Sequence, residues 1–214
     1  MNKMFFKKSI DPSFLRPGVA PAPEFSELKT EIIRKSIHFL IALSPSMAAV
    51  NRPLTVFFLM TGTLGYTWME TLRLSGVKVP VISSLTHMAS RSRDMGHFVM
   101  GPVTLGLGAL LALLLYPSPA ASIAIYALAF GDGFASLVGK FFGRRRPAFL
   151  CGKSLEGSLA CFTAVYIAAY GVSGSFRLAL AASLTAMAVE ALPLDDYDNI
   201  ALPVTVGFVV QIIS

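Results

Sequence analysis

Asp132 stands in the run AFGDGFASLVGKFFGRRR, at the end of a long apolar stretch. Lipid cannot solvate a carboxylate, so an acid at that depth is a functional-site candidate. Gly131, Gly133 and Gly139 permit close backbone approach around it. Lys140, Arg144, Arg145 and Arg146 follow and can neutralise phosphate groups. Asp132 has the chemistry to hold Mg²⁺ or to take a proton from a substrate hydroxyl. A second polar knot, GKSLEGS, places Gly152, Lys153, Ser154 and Gly157 at a predicted helix start. Free backbone N–H groups and the helix dipole make such a start an anion site. It is not a Walker loop, because Pro147 stands where that motif needs its first glycine. Glu156 suits either Mg²⁺ or charge balance at the helix N-terminus, and the sequence leaves both open.

Two further clusters have the same character. EALPLDDYDNIALP carries Glu190, Asp195, Asp196, Asp198 and Asn199, a hard-oxygen set suited to Mg²⁺. A solvated acidic loop is the plain alternative; the position of these charges against two apolar runs favours a metal role for Asp195, Asp198 and Asn199. In ELKTEIIRKSIHF, residues Glu31, Arg34, Lys35 and His38 recur at spacings of three or four and share a broad helix face. Glu70 and Arg73 repeat that pattern at the end of another apolar run, and Arg93, Asp94 and His97 carry no decisive signal. Packing through a GxxxG pair explains Gly139 and Gly143 equally well, and topology explains each arginine taken singly.

The elements that must position these residues follow from composition. Of the 214 residues, 54% are hydrophobic and only 14% charged, too little polar surface for a soluble domain of this size. The apolar runs are continuous rather than alternating, which predicts helices and excludes a transmembrane barrel. Seven spans are expected, at about Ile32–Val50, Leu54–Met69, Phe98–Tyr116, Ala120–Val138, Leu155–Tyr170, Phe176–Leu192 and Ile200–Ile213. The fold class is therefore all-α, a polytopic bundle with its N-terminal side in the cytosol. With that orientation sixteen of the eighteen basic residues face inward, leaving Arg52 and Arg177 outside. All twelve acids lie on the same inner side, so a metal-phosphate site facing the cytosol is expected, with no role in binding nucleic acid. Residues 1–30 read as a basic, proline-broken tail touching lipid headgroups through Lys3, Lys7 and Lys8, without a cleaved signal, and 31–214 as one catalytic domain. Cys151 and Cys161 show neither a CxxC pair nor a zinc spacing.

Taken together, E-x-x-R-K-x-x-H at Glu31–His38, the GDGFASLVGKFFG turn, the GKSLEGS helix start and the late DDYDNIALP resemble the dolichol kinase, phytol kinase and CTP-dependent diacylglycerol kinase family. The resemblance runs from about Glu31 to Pro203. It implies a multi-span fold and a CTP-type donor, with another nucleoside triphosphate left open, for phosphorylating a lipid hydroxyl; Mg²⁺ is the expected ion and a bacterial cell membrane the expected location. Its functional roles fall on Arg34, Lys35, Asp132, Gly139, Lys140, Lys153, Ser154, Glu156 and the late aspartates. His38 or a carboxylate would take the hydroxyl proton. A phosphatidate cytidylyltransferase is the alternative, sharing the acidic turn and the helix start; its K-R-x-x-x-K-D and P-G-H-G-G runs do not occur here. A transporter or lipid scaffold is the non-enzymatic alternative, disfavoured by an outer half nearly bare of charge. On the sequence alone, Asp132→Asn should fold and fail to transfer phosphate. Oligomeric state is not readable.

Overall fold

A computed structural model describes residues 25–77, 96–147 and 150–214. The expected tail residues through Glu24, and Arg93 with Asp94, lie outside them. All regular structure among the described residues is helical. In chain order it comprises α1 (Phe25–Leu40), a 3-10 turn (Ile41–Leu43), α2 (Ser44–Leu74), α3 (Gly101–Leu115), α4 (Ala120–Tyr126), a π-helical turn (Ala127–Asp132), α5 (Gly133–Phe141), α6 (Leu155–Ser173), α7 (Phe176–Glu190), a short 3-10 turn (Asp195–Tyr197) and α8 (Asp198–Ile213).

Local chemistry explains the breaks. The turn expected at Asn51–Pro53 is a kink inside α2: Asn51 leaves helical geometry (φ −152°, ψ 95°) and its Oδ1 accepts from the N–H of Leu54 at 3.0 Å. Asn51 thus caps the second half of α2, with Pro53 in its first turn, where a missing N–H costs nothing. Ser154 caps α6 by accepting from Gly157 N–H at 3.1 Å, and Gly174 ends that helix in the left-handed region at φ 63°. Ser175 then caps α7. The expected fourth span is one continuous path, Ala120–Phe141, widened by the π turn that delivers Asp132. Such wide turns recur at functional sites.

This broken helix is the centre of the bundle. Its parts pack against α3, α6, α7 and α8, and α1 lies along the π turn and α5. The core is built from small and medium side chains, among them Ala109, Ala112, Ala124, Cys161, Ala169, Ala182 and Val206, which let the helices approach closely. Tyr116 packs its ring on Gly207 and donates its hydroxyl to Val204 O at 2.7 Å. Two helices among the described residues, Ala120–Phe141 and Leu155–Ser173, are long and apolar enough to cross a membrane, and Gly101–Leu115 is a shorter apolar helix.

One close helix–helix approach beside the site is between α5 and α6. A Cβ on Gly157 would stand 2.7 Å from Ala135 O and 3.2 Å from Gly139 Cα. Gly139 and Gly157 therefore serve as contact glycines, whatever else they do. Gly157→Val should force the helices apart and cost about 1–3 kcal/mol, the usual range for overpacking. Thermal unfolding in detergent checks this: the variant should melt lower, and an unchanged midpoint would contradict the close approach.

Candidate functional site

The helix ends that fall together at one end of the bundle are the C-terminal half of α1, the start of α3, the end of α5, the start of α6, the end of α7 and the start of α8. They surround a cavity of about 660 Å³. Arg34, Lys35, His38, Asp132, Gly139, Lys140, Gly152, Lys153, Ser154, Gly157, Glu190, Asp195, Asp198 and Asn199 all line it. Four sequence clusters separated by up to about 160 residues thus meet in one space.

Its centre is Asp132. The side-chain oxygen Oδ2 accepts from Lys35 Nζ and lies 3.0 Å from His38 Nδ1. Lys35 is 1% exposed, and Asp132 and His38 are each 5% exposed. The spacing of three residues puts Lys35 and His38 on the face of α1 that meets the π turn. One turn earlier, Glu31 accepts from Arg34 and from Lys140, both at 2.5 Å, and so ties α1 to the end of α5. Burial alone would raise the Glu31 carboxyl, but the charges of Arg34 and Lys35, with hydrogen bonds from Lys140 and Arg34, hold it at about 2. Phe39 closes the contact by resting on Gly133 and against Phe130 and Phe134.

The loop before α6 supplies a second set of cations. Cys151 (φ 50°) and Gly152 (φ 88°) take the left-handed backbone that turns the chain into the helix. Arg146 braces this turn, donating to Gly152 O at 2.7 Å and to Gly139 O at 3.1 Å. Lys153 reaches across to α7, where Nζ bonds the backbone oxygen of Glu190 and lies 2.8 Å from its Oε1. Ser154 and the N–H of Gly157 are spent on each other in the cap.

The third wall is acidic. Asp195, Asp196 and Asp198 line the cavity at the turn into α8, with Asp195 in the left-handed region at φ 52°. Asn199 donates through Nδ2 to Thr104 Oγ1 at 2.9 Å, which orients its amide; Oδ1 is buried and has no hydrogen-bond partner among the described residues. Partial burial first, and then the negative charge of Asp132, push the Asp198 carboxyl up to about 7. A divalent cation beside these oxygens would reverse that penalty and fill the open acceptor of Asn199. Among the described residues no three His, Cys, Asp or Glu side chains form a metal cluster of their own. Mg²⁺ does not require one, because it binds through one or two carboxylates plus substrate phosphates. The donor set at Asp198 and Asn199 fits such a shared ion.

Other sequence candidates sit elsewhere. Gly131 packs against Val165 and Gly133 against Phe39, so both act in packing. Arg144 is exposed and is not part of the cavity wall. Glu156 accepts from Arg145 N–H at 3.3 Å and lies outside the cavity lining. Glu70 binds Arg73 through both oxygens (2.7 and 2.8 Å) and accepts from Val99 N–H at 3.0 Å, anchoring the approach to α3 beside the site. Sequence reasoning missed an apolar wall made by Ile37, Leu40, Val99, Pro102 and Leu105, and it missed Ser158. Ser158 stands four residues after the cap Ser154, and that spacing was the available signal.

Comparison with known proteins finds distant relatives. The chain is 31% identical over 133 residues to a probable chloroplastic phytol kinase 3 of Glycine max, covering 54% of this chain and 42% of that one. It is 30% identical over 149 residues to a probable chloroplastic phytol kinase 2 of Oryza sativa subsp. japonica, covering 62% and 49%. An uncharacterized protein of Methanocaldococcus jannaschii is 24% identical over 186 residues, covering 85% and 93%. The chain spans about half the length of the phytol kinases it matches. No family model and no solved structure matches it.

The pairing of Asp132 with Lys35 changes what Asp132→Asn should do. The substitution leaves a fully buried ammonium without its counter-charge, and breaking a buried pair from one side costs about 3–5 kcal/mol. Asp132→Asn should therefore melt well below the native chain, and the double variant Lys35→Met, Asp132→Leu should regain much of the loss. Chemical unfolding in detergent measures both. Equal stability of native chain and single variant would contradict a buried charge pair.

Proposed function

We propose that this chain is a membrane-embedded kinase that transfers a phosphoryl group from a nucleoside triphosphate, CTP by the family resemblance, to the hydroxyl of a lipid alcohol such as a polyprenol, phytol or diacylglycerol. The observation that carries this reading is that a cationic wall and an apolar wall face one cavity. Arg34, Lys35, Lys140, Arg146 and Lys153 provide charge for a polyphosphate, and Ile37, Leu40, Val99, Pro102 and Leu105 provide a surface for a hydrocarbon chain. The similarity to proteins named as probable phytol kinases supports the same combination of ligands.

The full seven-span arrangement belongs to this proposal. It is supported by apolar side chains left exposed on helices beyond the two longest apolar ones: Phe57, Phe58, Leu64 and Trp68 on α2, Leu184 on α7, and Phe208 and Ile212 on α8. Surfaces of that extent mark a membrane or partner contact. In this orientation the cavity faces the cytosol, where nucleotides are available, and the acceptor alcohol reaches it from the surrounding lipid.

Phosphoryl transfer demands positioning and charge neutralisation more than covalent chemistry from the protein. Lys35 is fixed by Asp132 and Lys153 by Glu190, so neither cation needs to reorganise when phosphate arrives. Asp198 and Asn199 Oδ1 would hold Mg²⁺, which would supply positive charge to neutralise the triphosphate. Glu31 keeps Arg34 and Lys140 directed along the same wall. A carboxylate of the cavity or His38 would accept the proton lost by the attacking hydroxyl.

The test is direct assay of the purified protein with γ-labelled and α-labelled CTP, ATP and GTP, each against polyprenol, phytol, diacylglycerol and phosphatidate. Label from the γ-position should appear in a lipid monophosphate. Label from the α-position in a CDP-lipid, with pyrophosphate released, would overturn the kinase reading in favour of cytidylyl transfer. No product from any pair would overturn the enzymatic reading.

A further inference from the structure

We infer that Ser158 and Glu190 together form a binding site for one hydroxyl group inside the cavity, an inference that rests on the kinase reading for the identity of the ligands. Several hydroxyls elsewhere on these helices are satisfied locally. Ser36, Thr63, Thr67, Thr163 and Thr185 each donate to the carbonyl four residues back, at 2.7–2.9 Å. Apolar surroundings favour that bond because they offer no other partner. Ser158 departs from the pattern. Its backbone N–H bonds Ser154 O at 3.0 Å, yet its Oγ is buried and has no hydrogen-bond partner among the described residues. Glu190 shows the same feature on the neighbouring helix: Oε1 pairs with Lys153, while Oε2 is buried and has no partner among the described residues. Both side chains are 5% exposed and both line the cavity.

The two open atoms select their ligand by chemistry. A carboxylate oxygen only accepts, and a serine hydroxyl donates or accepts by rotation. A phosphate would be repelled by Glu190. An ammonium would be repelled by Lys153, already paired with that carboxylate, and by Lys35 across the cavity. A carbonyl has no proton for Oε2. A hydroxyl satisfies both atoms, giving its proton to Glu190 and accepting from Ser158. Two ligands of the proposed reaction carry one: the lipid alcohol and the ribose of the nucleotide. In either case Ser158 is a positioning residue.

The experiment compares the native chain with Ser158→Ala and with Ser158→Thr, which keeps the hydroxyl. Melting temperature is measured alongside as the control for folding. If the hydroxyl is the acceptor's, Ser158→Ala should raise KM for the alcohol about tenfold, the worth of one buried hydrogen bond, with KM for the nucleotide unchanged. If it is the ribose's, KM for the nucleotide should rise instead, and a 2′- or 3′-deoxynucleotide should be used equally by both proteins. Recovery in Ser158→Thr supports either form. Unchanged kinetics in a folded Ser158→Ala would overturn the site. Should the native chain turn over no pair, the kinase reading fails separately. Calorimetry then compares CTP with its 2′,3′-dideoxy form, and phytol with its methyl ether. A preference for the hydroxyl that vanishes in Ser158→Ala supports the site, and no preference in the native chain overturns it.

Discussion

The contact between Lys35 and Asp132 is the constraint on which the rest of this structure depends. Each charge alone would be prohibitively costly between apolar helices. Together, with His38 beside the same oxygen, they can be buried, and in being buried they fix α1 against the π turn of the central helix. That placement sets the positions of Arg34 one residue away and of Glu31 one turn away, and Glu31 in turn holds Lys140 on α5. A buried pair is a weak source of stability compared with apolar packing. Its retention here makes sense as the device that orients a set of cations toward one cavity.

The same logic recurs on the opposite wall. Lys153 is held by Glu190, Arg146 by two backbone carbonyls, and the turn that carries Lys153 is shaped by left-handed backbone at Cys151 and Gly152. Each of these cations is held by a partner elsewhere in the fold. The small residues of the core serve this arrangement: contact at Gly139 and Gly157 brings α5 and α6 close enough that the ends of both helices share one cavity. The apolar wall of α1 and α3 completes the space, so that a polyphosphate and a hydrocarbon chain find complementary surfaces within reach of each other.

Much of this was legible in the residues. Charges stranded at the ends of apolar runs marked four clusters, and helix alternation placed them at one end. The cap at Ser154 was readable from G-K-S-x-E before an apolar run, and Asn51 with Pro53 announced the break that appears as a kink in α2. Pairing was not legible. Nothing in E-x-x-R-K-x-x-H says that Lys35 will meet a carboxylate 97 residues later, because that depends on which face of the central helix the π turn presents. The π turn itself is silent, because nothing in Ala127–Phe130 announces a widened helix ahead of Gly131 and Asp132. Glycines that read as phosphate loops are partly contact points between helices, a distinction that only packing reveals. Ser158 reads as one more small residue in an apolar helix; its hydroxyl, without a partner among the described residues, is visible only in the packing.

Cys151 offers the most direct measurement of whether these charges form a nucleotide site. Its thiol is exposed and lines the cavity, whereas Cys161 is fully buried, so maleimide should report on Cys151 alone. Saturating nucleoside triphosphate with Mg²⁺ should slow the reaction in the native chain, and the protection should disappear in Lys153→Ala. Modification at the same rate with and without nucleotide, across CTP, ATP and GTP, would contradict the convergence of Lys35, Asp132, Lys153 and Asp198 on a phosphate ligand.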